Sequence, residues 1–361
     1  MRVFPRKIKT VVVKVGSSLV ATEQRRPRTA YLRSLVQQIT ALRRRDIDVV
    51  LVSSGAIVLG MGEVDSSYRP SDLASLQALA AVGQTVLMRK YTDLFKKAGA
   101  RCAQVLLTWD DFNDRKRFNN ARKALSAMMA KAIVPVVNEN DTIATDEIRF
   151  GDNDQLSALV ASLVRADLLV ILSDVEGLYD LNGKRKKVYQ EVKEITREIE
   201  DVAGGPRNKQ VSRGGMSAKL AAVKIATHSN IPCVITHGRL KEVLPRVVAA
   251  ERIGTLFLEK EEKLLAKKHW ISFGSRPRGA LVVDEGAKKA LLSGGKSLLL
   301  PGVVSWSGHF KKDDVVVVLD QARQEIARGI INYSVADLHQ IEDRKGRPEA
   351  IHRDNLVLCQ R

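Results

Sequence analysis

Nowhere in the 361 residues does an apolar run approach the roughly 18 residues that a membrane-spanning helix requires. The N-terminal run TVVVKVGSSLVA is interrupted by Lys14 and followed by no small-residue cleavage site, so the chain reads as soluble and cytoplasmic. Cysteine is scarce. Cys102, Cys233 and Cys359 are far apart, form no CxxC pair and cannot all be bridged internally, as expected of reduced packing residues. The six histidines show no HExxH or other ligand spacing, which argues against a zinc site. Two nucleotide-binding motifs are also missing. SGGKS at Ser293 to Ser297 resembles the end of a Walker A loop, but Ala290 stands where its first glycine belongs. Gly60 and Gly62 begin a dinucleotide fingerprint that Asp65 ends, and the glycines of both segments read as turn glycines. Acidic residues are in deficit, 41 against 59 Lys and Arg, and the net charge of +18 favours acidic partners: nucleotides, nucleic acid or an anionic small substrate.

What is present is a chain long enough for two cores. Short β-branched runs (TVVVKVG, DVVLVSSG, CAQVLLT, AIVPVVNEN, DLLVILSD, IPCVITHG) are separated by helical periodicity, including stretches near 30–45 and 72–99. That pattern implies an α/β fold with a mostly parallel sheet sandwiched by helices. After a charged segment the text changes to short strands with closely spaced glycine turns, GALVVDEG, SLLLPGVVSWSG and DDVVVVLD, with one short helix at AKKALLSGG. This reads as a small β-barrel-like domain. The expected organisation is 1–262, a linker at 263–275, and 276–361.

Ligands of open parallel sheets collect at the carboxyl ends of the strands. There the chain places Lys14, Gly16, Ser17 and Ser18 after the first run, Ser53 to Ala56 after the second, and SDVEGLYD from Ser173 after a later one. SRGGMSAKLAA puts Gly214 and Gly215 at a helix N-terminus, whose dipole favours anions, with Lys219 one turn in. Each site alone has an ordinary explanation as a solvated strand end; four along one edge point to a functional site. The connection NENDTIATDEIRFGDND, Asn138 to Asp154, adds an unusual density of carboxylates and amides, with the next helix expected near Gln155. Loop acids of this kind also cap helices, and Asp152 fits that role alone.

In VVVKVGSSLV, SSGAI, NENDTIATDEIRFGDNDQLSA, LSDVEGLYD and GGMSAKLAA, taken in order, the first 265 or so residues resemble the amino acid kinase superfamily, and within it the glutamate 5-kinases. Through VDEGAKKALLSGGKSLLLPGV, GHFKKDDVVVV and EIARGIINYS the C-terminal part resembles a PUA domain. The resemblance implies ATP-dependent phosphorylation of the L-glutamate side-chain carboxylate, the first step of proline biosynthesis. It implies that Lys14 and Lys219 meet the transferring phosphate, that Asp154 aligns both, and that Ser54, Asp141 and Asn153 hold glutamate. The nucleotide would be met by Lys14, Gly16, Ser173, Asp174 and the run Arg213, Gly214, Gly215, Met216, Ser217, Ala218 and Lys219, with Mg²⁺ carried on ATP rather than in a protein cage. It further implies ADP as product, proline as a feedback inhibitor, a glutamyl-phosphate reductase as a partner, and a homo-oligomer, dimer or tetramer. A departure from the family pattern is Arg213, where threonine is frequent.

Two alternatives stay open at this level. A kinase for another small acid or for carbamate would keep the lysines and glycines and change the 138–154 loop. RNA binding through the PUA part is the other, but residues 276–361 carry 14 Lys and Arg against 11 Asp and Glu, so most of the positive charge lies elsewhere.

Overall fold

The computed structural model describes residues 2, 4, 6–66, 68–143, 153–180, 187–203, 215–259, 277–341 and 346–358. The chain divides into two compact units, Met1–Lys263 and Leu264–Arg361. The segment expected as a linker, 263–275, lies outside the described residues, as do Asp152 and Cys359.

The first unit contains β1 (Thr10–Val15), β2 (Asp48–Ser53), β3 (Arg101–Leu107), β4 (Ile133–Glu139), β5 (Leu168–Ser173), β6 (Tyr179–Asp180), β7 (Lys187–Val188), β8 (Glu191–Val192), β9 (Cys233–His237) and β10 (Thr255–Phe257). Eight of these form one sheet in the order β3-β4-β2-β1-β5-β9-β10-β8; β9 and β10 are antiparallel and the other neighbours parallel. β6 and β7 pair separately as a small antiparallel ladder. The central strands are buried on both faces, from Val11 to Val15 and Leu168 to Ser173, so their sequences run continuously apolar instead of alternating. Lys14 is the exception in β1, and it is the residue that matters for the site.

Helices of this unit are α1 (Ser17–Val20), α2 (Thr29–Arg43), α3 (Ala56–Glu63), α4 (Leu73–Lys97), α5 (Trp109–Asn113), α6 (Arg115–Ala130), α7 (Asn153–Val164), α8 (Arg197–Val202), α9 (Met216–His228) and α10 (Val243–Val248). α2 buries Leu32, Leu35, Val36, Ile39 and Leu42, a helical stripe, against the face of the sheet that carries Val11, Val13 and Val15. α4 starts where the Asp72 carboxylate accepts the Ser75 N–H at 2.8 Å, and Gly99 follows its end at φ +73. α7 and α9 pack against each other, and α7 against β1.

Gly60 and Gly62 are not turn glycines. Both lie inside α3, where a methyl group on Gly60 would stand 1.9 Å from the Leu79 carbonyl oxygen of α4, and one on Gly62 2.3 Å from the Arg25 carbonyl oxygen. Their spacing reflects close backbone approach rather than a ligand loop.

The second unit is a five-stranded mixed sheet, β11 (Gly279–Val283), β12 (Val303–Gly308), β13 (Val315–Leu319), β14 (Glu325–Ile330) and β15 (Leu356–Leu358), in the order β12-β11-β13-β14-β15. Only β11 and β13 are parallel neighbours. It carries α11 (Glu285–Gly294) and α12 (Val335–Gln340). SGGKS is the end of α11, with Gly295 at φ +53 as its cap, so here the turn reading holds.

Candidate active site

The site grows from the carboxyl ends of β1, β2 and β5 and the first turns of α7 and α9. Along β1, Val11, Val13 and Val15 enter the core on the α2 side. By strand alternation Lys14 turns to the opposite face, where α7 and α9 lie. Its ammonium is paired with the Asp154 carboxylate, and Lys219 Nζ donates to the same carboxylate at 3.2 Å. All three side chains are buried, Asp154 completely.

Asp154 sits in the first turn of α7, where the helix dipole favours a negative charge. Burial on its own would raise its pKa, but Lys14 and Lys219 outweigh that and hold the carboxyl below its ordinary value. Two buried cations thus share one anion, leaving an excess positive charge at the sheet edge.

Beside it, Asn153 Nδ2 faces the Ser53 carbonyl oxygen at 2.8 Å, Ser54 Oγ at 3.0 Å and Asn138 Oδ1 at 2.7 Å. Asn153 and Asp154 belong to the helix, which begins two residues earlier than the sequence indicated, and Asn138 and Glu139 belong to β4. The apparent loop therefore has both its ends on rigid elements, and 144–152 lies outside the described residues.

Gly16 caps α1 and Gly215 caps α9, both in extended conformation and without a side-chain cap. Among the described residues a methyl on Gly16 would meet only the Leu172 carbonyl oxygen and Lys14 Nζ, each at 3.9 Å. No described neighbour forbids a side chain there, so the bare glycine leaves the backbone beside the Lys14 ammonium open to close approach. Met216, Ser217 and Ala218 form the first turn of α9, Lys219 the next step inward. Arg213 and Gly214 lie outside the described residues.

Ser173, buried at the end of β5, donates to the exposed Asp174 carboxylate at 3.1 Å. Asp141, in the turn after β4, is half-buried, and among the described residues it is hydrogen-bonded to neither the lysine pair nor Asn153. Burial pushes its carboxyl up to about 6, against the pull of Arg69. Among the described residues no three His, Cys, Asp or Glu side chains are grouped as metal ligands.

The sequence reading passed over Gln84, Tyr91 and the Asn138 side chain. Asn138 Nδ2 donates to Gln84 Oε1 at 2.8 Å, and the Tyr91 hydroxyl lies 3.0 Å from Ser53 Oγ. The available signal was two polar residues, seven apart, in the otherwise apolar stripe of α4.

Comparison with known proteins decides the family. Residues 9–237 match the model of the amino acid kinase family, and residues 279–353 match that of the PUA domain. The chain belongs to the amino acid kinase family. Its full-length relatives include the glutamate 5-kinase of Caldanaerobacter subterraneus subsp. tengcongensis, 43% identical over 97% of this chain and 98% of that one. The glutamate 5-kinase of Syntrophotalea carbinolica is likewise 43% identical, over 98% of both. Among solved structures, the carbamate kinase of Giardia lamblia bound to AMP-PNP covers 70% of this chain and 99% of its own, with 17% identity and a TM-score of 0.50, a likeness of fold alone. As an amino acid kinase the chain uses ATP, and its Lys14–Asp154–Lys219 group lies at the carboxyl end of the sheet's strands.

Proposed function

We infer that this amino acid kinase is a glutamate 5-kinase, transferring the γ-phosphoryl group of ATP to the side-chain carboxylate of L-glutamate. Similarity to glutamate 5-kinases along nearly the whole chain supports the substrate. The observation that carries the site is the fully buried Asp154 held between two lysines.

Glutamate's carboxylate, with a pKa of about 4.3, is ionised at neutral pH and needs no base. One of its oxygens attacks the γ-phosphorus, the bond from that phosphorus to the β,γ-bridging oxygen breaks, and ADP leaves with the electron pair. The obstacle is bringing an anion to a polyanion, and the enzyme's task is positioning and charge neutralisation. Lys14 and Lys219 meet the charge spreading over the transferring group; Asp154, kept ionised by them, fixes where their ammonium groups point. Ser54 and Asn153, joined at 3.0 Å, and Asp141 hold glutamate, the carboxylate of Asp141 matching its α-ammonium. Gly16, Ser173, Asp174 and the run from Gly215 to Lys219 take the nucleotide; Arg213 and Gly214 join them by motif alone. Mg²⁺ would be carried on the ATP phosphates rather than in a protein cage, and would supply charge screening there.

In this reading residues 1–262 are the kinase domain and 276–361 the PUA domain. The product is a reactive acyl phosphate, so a reductase that consumes it at once is the natural next partner, in cytoplasm, and proline, the end product, is the natural feedback inhibitor. A homo-oligomer accords with the family. RNA binding by the PUA part has little support from its charge.

The deciding experiment is ADP release against a panel of amino acids and small carboxylic acids. Dependence on L-glutamate alone supports the assignment, and turnover with a different acid or with carbamate replaces it.

A further inference from the structure

Behind Asn153 runs a line of side-chain amides that the reaction as described does not use. Asn153 donates to Asn138 Oδ1 at 2.7 Å, Asn138 to Gln84 Oε1 at 2.8 Å, and Gln84 to Gln104 Oε1 at 2.9 Å. The line starts in the first turn of α7, crosses β4 and α4, and ends on the edge strand β3. An amide has a donor end and an acceptor end, so all members of such a line must point the same way. Turning one over sets NH₂ against NH₂ or oxygen against oxygen, at a cost magnified by burial.

Gln84 holds the middle position. It is buried at 9% exposure in a stripe that, apart from it and Tyr91, is made of Leu76, Leu79, Ala80, Gly83, Leu87, Leu94 and Phe95. An aliphatic side chain there would fill the core without an amide to desolvate, so folding does not call for glutamine at this position. Its neighbour two turns on, Tyr91, reaches Ser53, whose carbonyl oxygen faces the same Asn153 Nδ2. Helix α4 therefore supports two neighbouring strand ends, β2 through Tyr91 and β4 through Gln84.

We propose that Gln84 is a positioning residue that fixes the polarity of Asn138 and Asn153, and through them the affinity for the amino acid substrate. With Nδ2 of Asn153 committed to Ser53, Ser54 and Asn138, its carbonyl oxygen is turned away from those acceptors, the orientation an α-ammonium group requires. The proposal rests on the assignment of Asn153 to glutamate.

The test compares Gln84→Met, Asn153→Ala and the double variant in glutamate-dependent ADP release, with Tm measured alongside. Gln84→Met should raise the KM for glutamate about tenfold while the KM for ATP stays within about twofold. Added to Asn153→Ala, it should raise the glutamate KM no further, because its effect passes through that residue. Three results overturn the proposal: an unchanged glutamate KM, the same increment in the Asn153→Ala background, or glutamate and ATP KM rising together. Should Gln84→Met not fold, Gln104→Met at the exposed end of the line frees Gln84 to turn over; it should raise the glutamate KM about threefold, and no change there is equally fatal. A parent enzyme without glutamate-dependent turnover defeats the assignment of Asn153, and this proposal with it, before any variant is compared.

Discussion

Asp154 and Asp141 are two carboxylates in one region whose surroundings push them in opposite directions. Burial disfavours the charge on both; at Asp154 the two lysines outweigh it, whereas at Asp141 the pull of Arg69 does not. The lysine pair sets the first expectation. Lys14→Ala or Lys219→Ala should lower kcat by on the order of a hundredfold, the scale of losing one preorganised charge at the transition state. A change confined to the KM for ATP would instead make the lysine a binding residue. Asp141 carries the second. Its carboxyl titrates near 6 in the fold against an ordinary 3.8, so from 3.8 to 6 the native state binds a proton that the unfolded chain does not. Its stabilising share is complete below 3.8 and lost as pH rises through 6; at neutral pH Asp141 is a half-buried charge that weakens the fold. Asp141→Asn should therefore raise Tm at neutral pH, with the gain vanishing toward 3.8, while raising the glutamate KM about tenfold through loss of a charge-assisted contact. Equal Tm at both ends of that range, with an unchanged KM, would leave Asp141 as an ordinary turn residue. The lysines and Asp154 were legible in the sequence because their motifs are contiguous strings. Gln84 was not, because its partners Asn138 and Gln104 are 54 and 20 residues away and only the packing of α4 on the sheet brings them together.

At the scale of elements, the crossing of α3 and α4 ties packing to the site. α3 begins two residues after Ser54, through Gly55 at φ +106, and lies so close to α4 that a methyl on Gly83 would stand 1.7 Å from the Ala56 carbonyl oxygen and 2.4 Å from the Gly60 nitrogen. Both obstructions are backbone, so neither can swing aside. Gly83→Ala should cost about 3 kcal/mol of stability by forcing the helices apart, read as a lower urea midpoint with m unchanged. Because Ala56 must move with α3, the glutamate KM should rise in the same variant; full stability would show that the crossing has slack. Sequence alone marks these glycines as breakers, and two of them were misread as turns, since a glycine in a helix is indistinguishable from one in a loop until its neighbour is known. The strand pattern fared better: β1, β2, β4, β5 and β9 are β-branched runs buried on both faces, and that composition is itself the signal for a parallel sheet. β8 and β10, of two and three residues, carry too little pattern to be read, and the antiparallel pairing of β9 with β10 went with them.

The whole molecule divides into two compact units, Met1–Lys263 and Leu264–Arg361. Among the described residues one apolar cluster runs from Ile8 to Leu256 and another from Leu281 to Leu356. A core closed within its own segment can fold without the other. Every residue assigned to phosphate or glutamate, from Lys14 to Lys219, also falls in the first segment, and so does most of the positive charge that would draw a nucleotide in. A chain ending at Ser275 should therefore remain folded, unfold in one cooperative transition, and release ADP in a glutamate-dependent way with KM values within about threefold of the full chain. The readouts separate two ways of failing. A truncated chain that aggregates would mean that the C-terminal unit protects or completes the kinase core despite the separate clusters. One that folds with its ATP KM intact but loses kcat would mean that the second unit acts on the chemistry, and the PUA part would then belong to the enzyme's machinery rather than to a separate task.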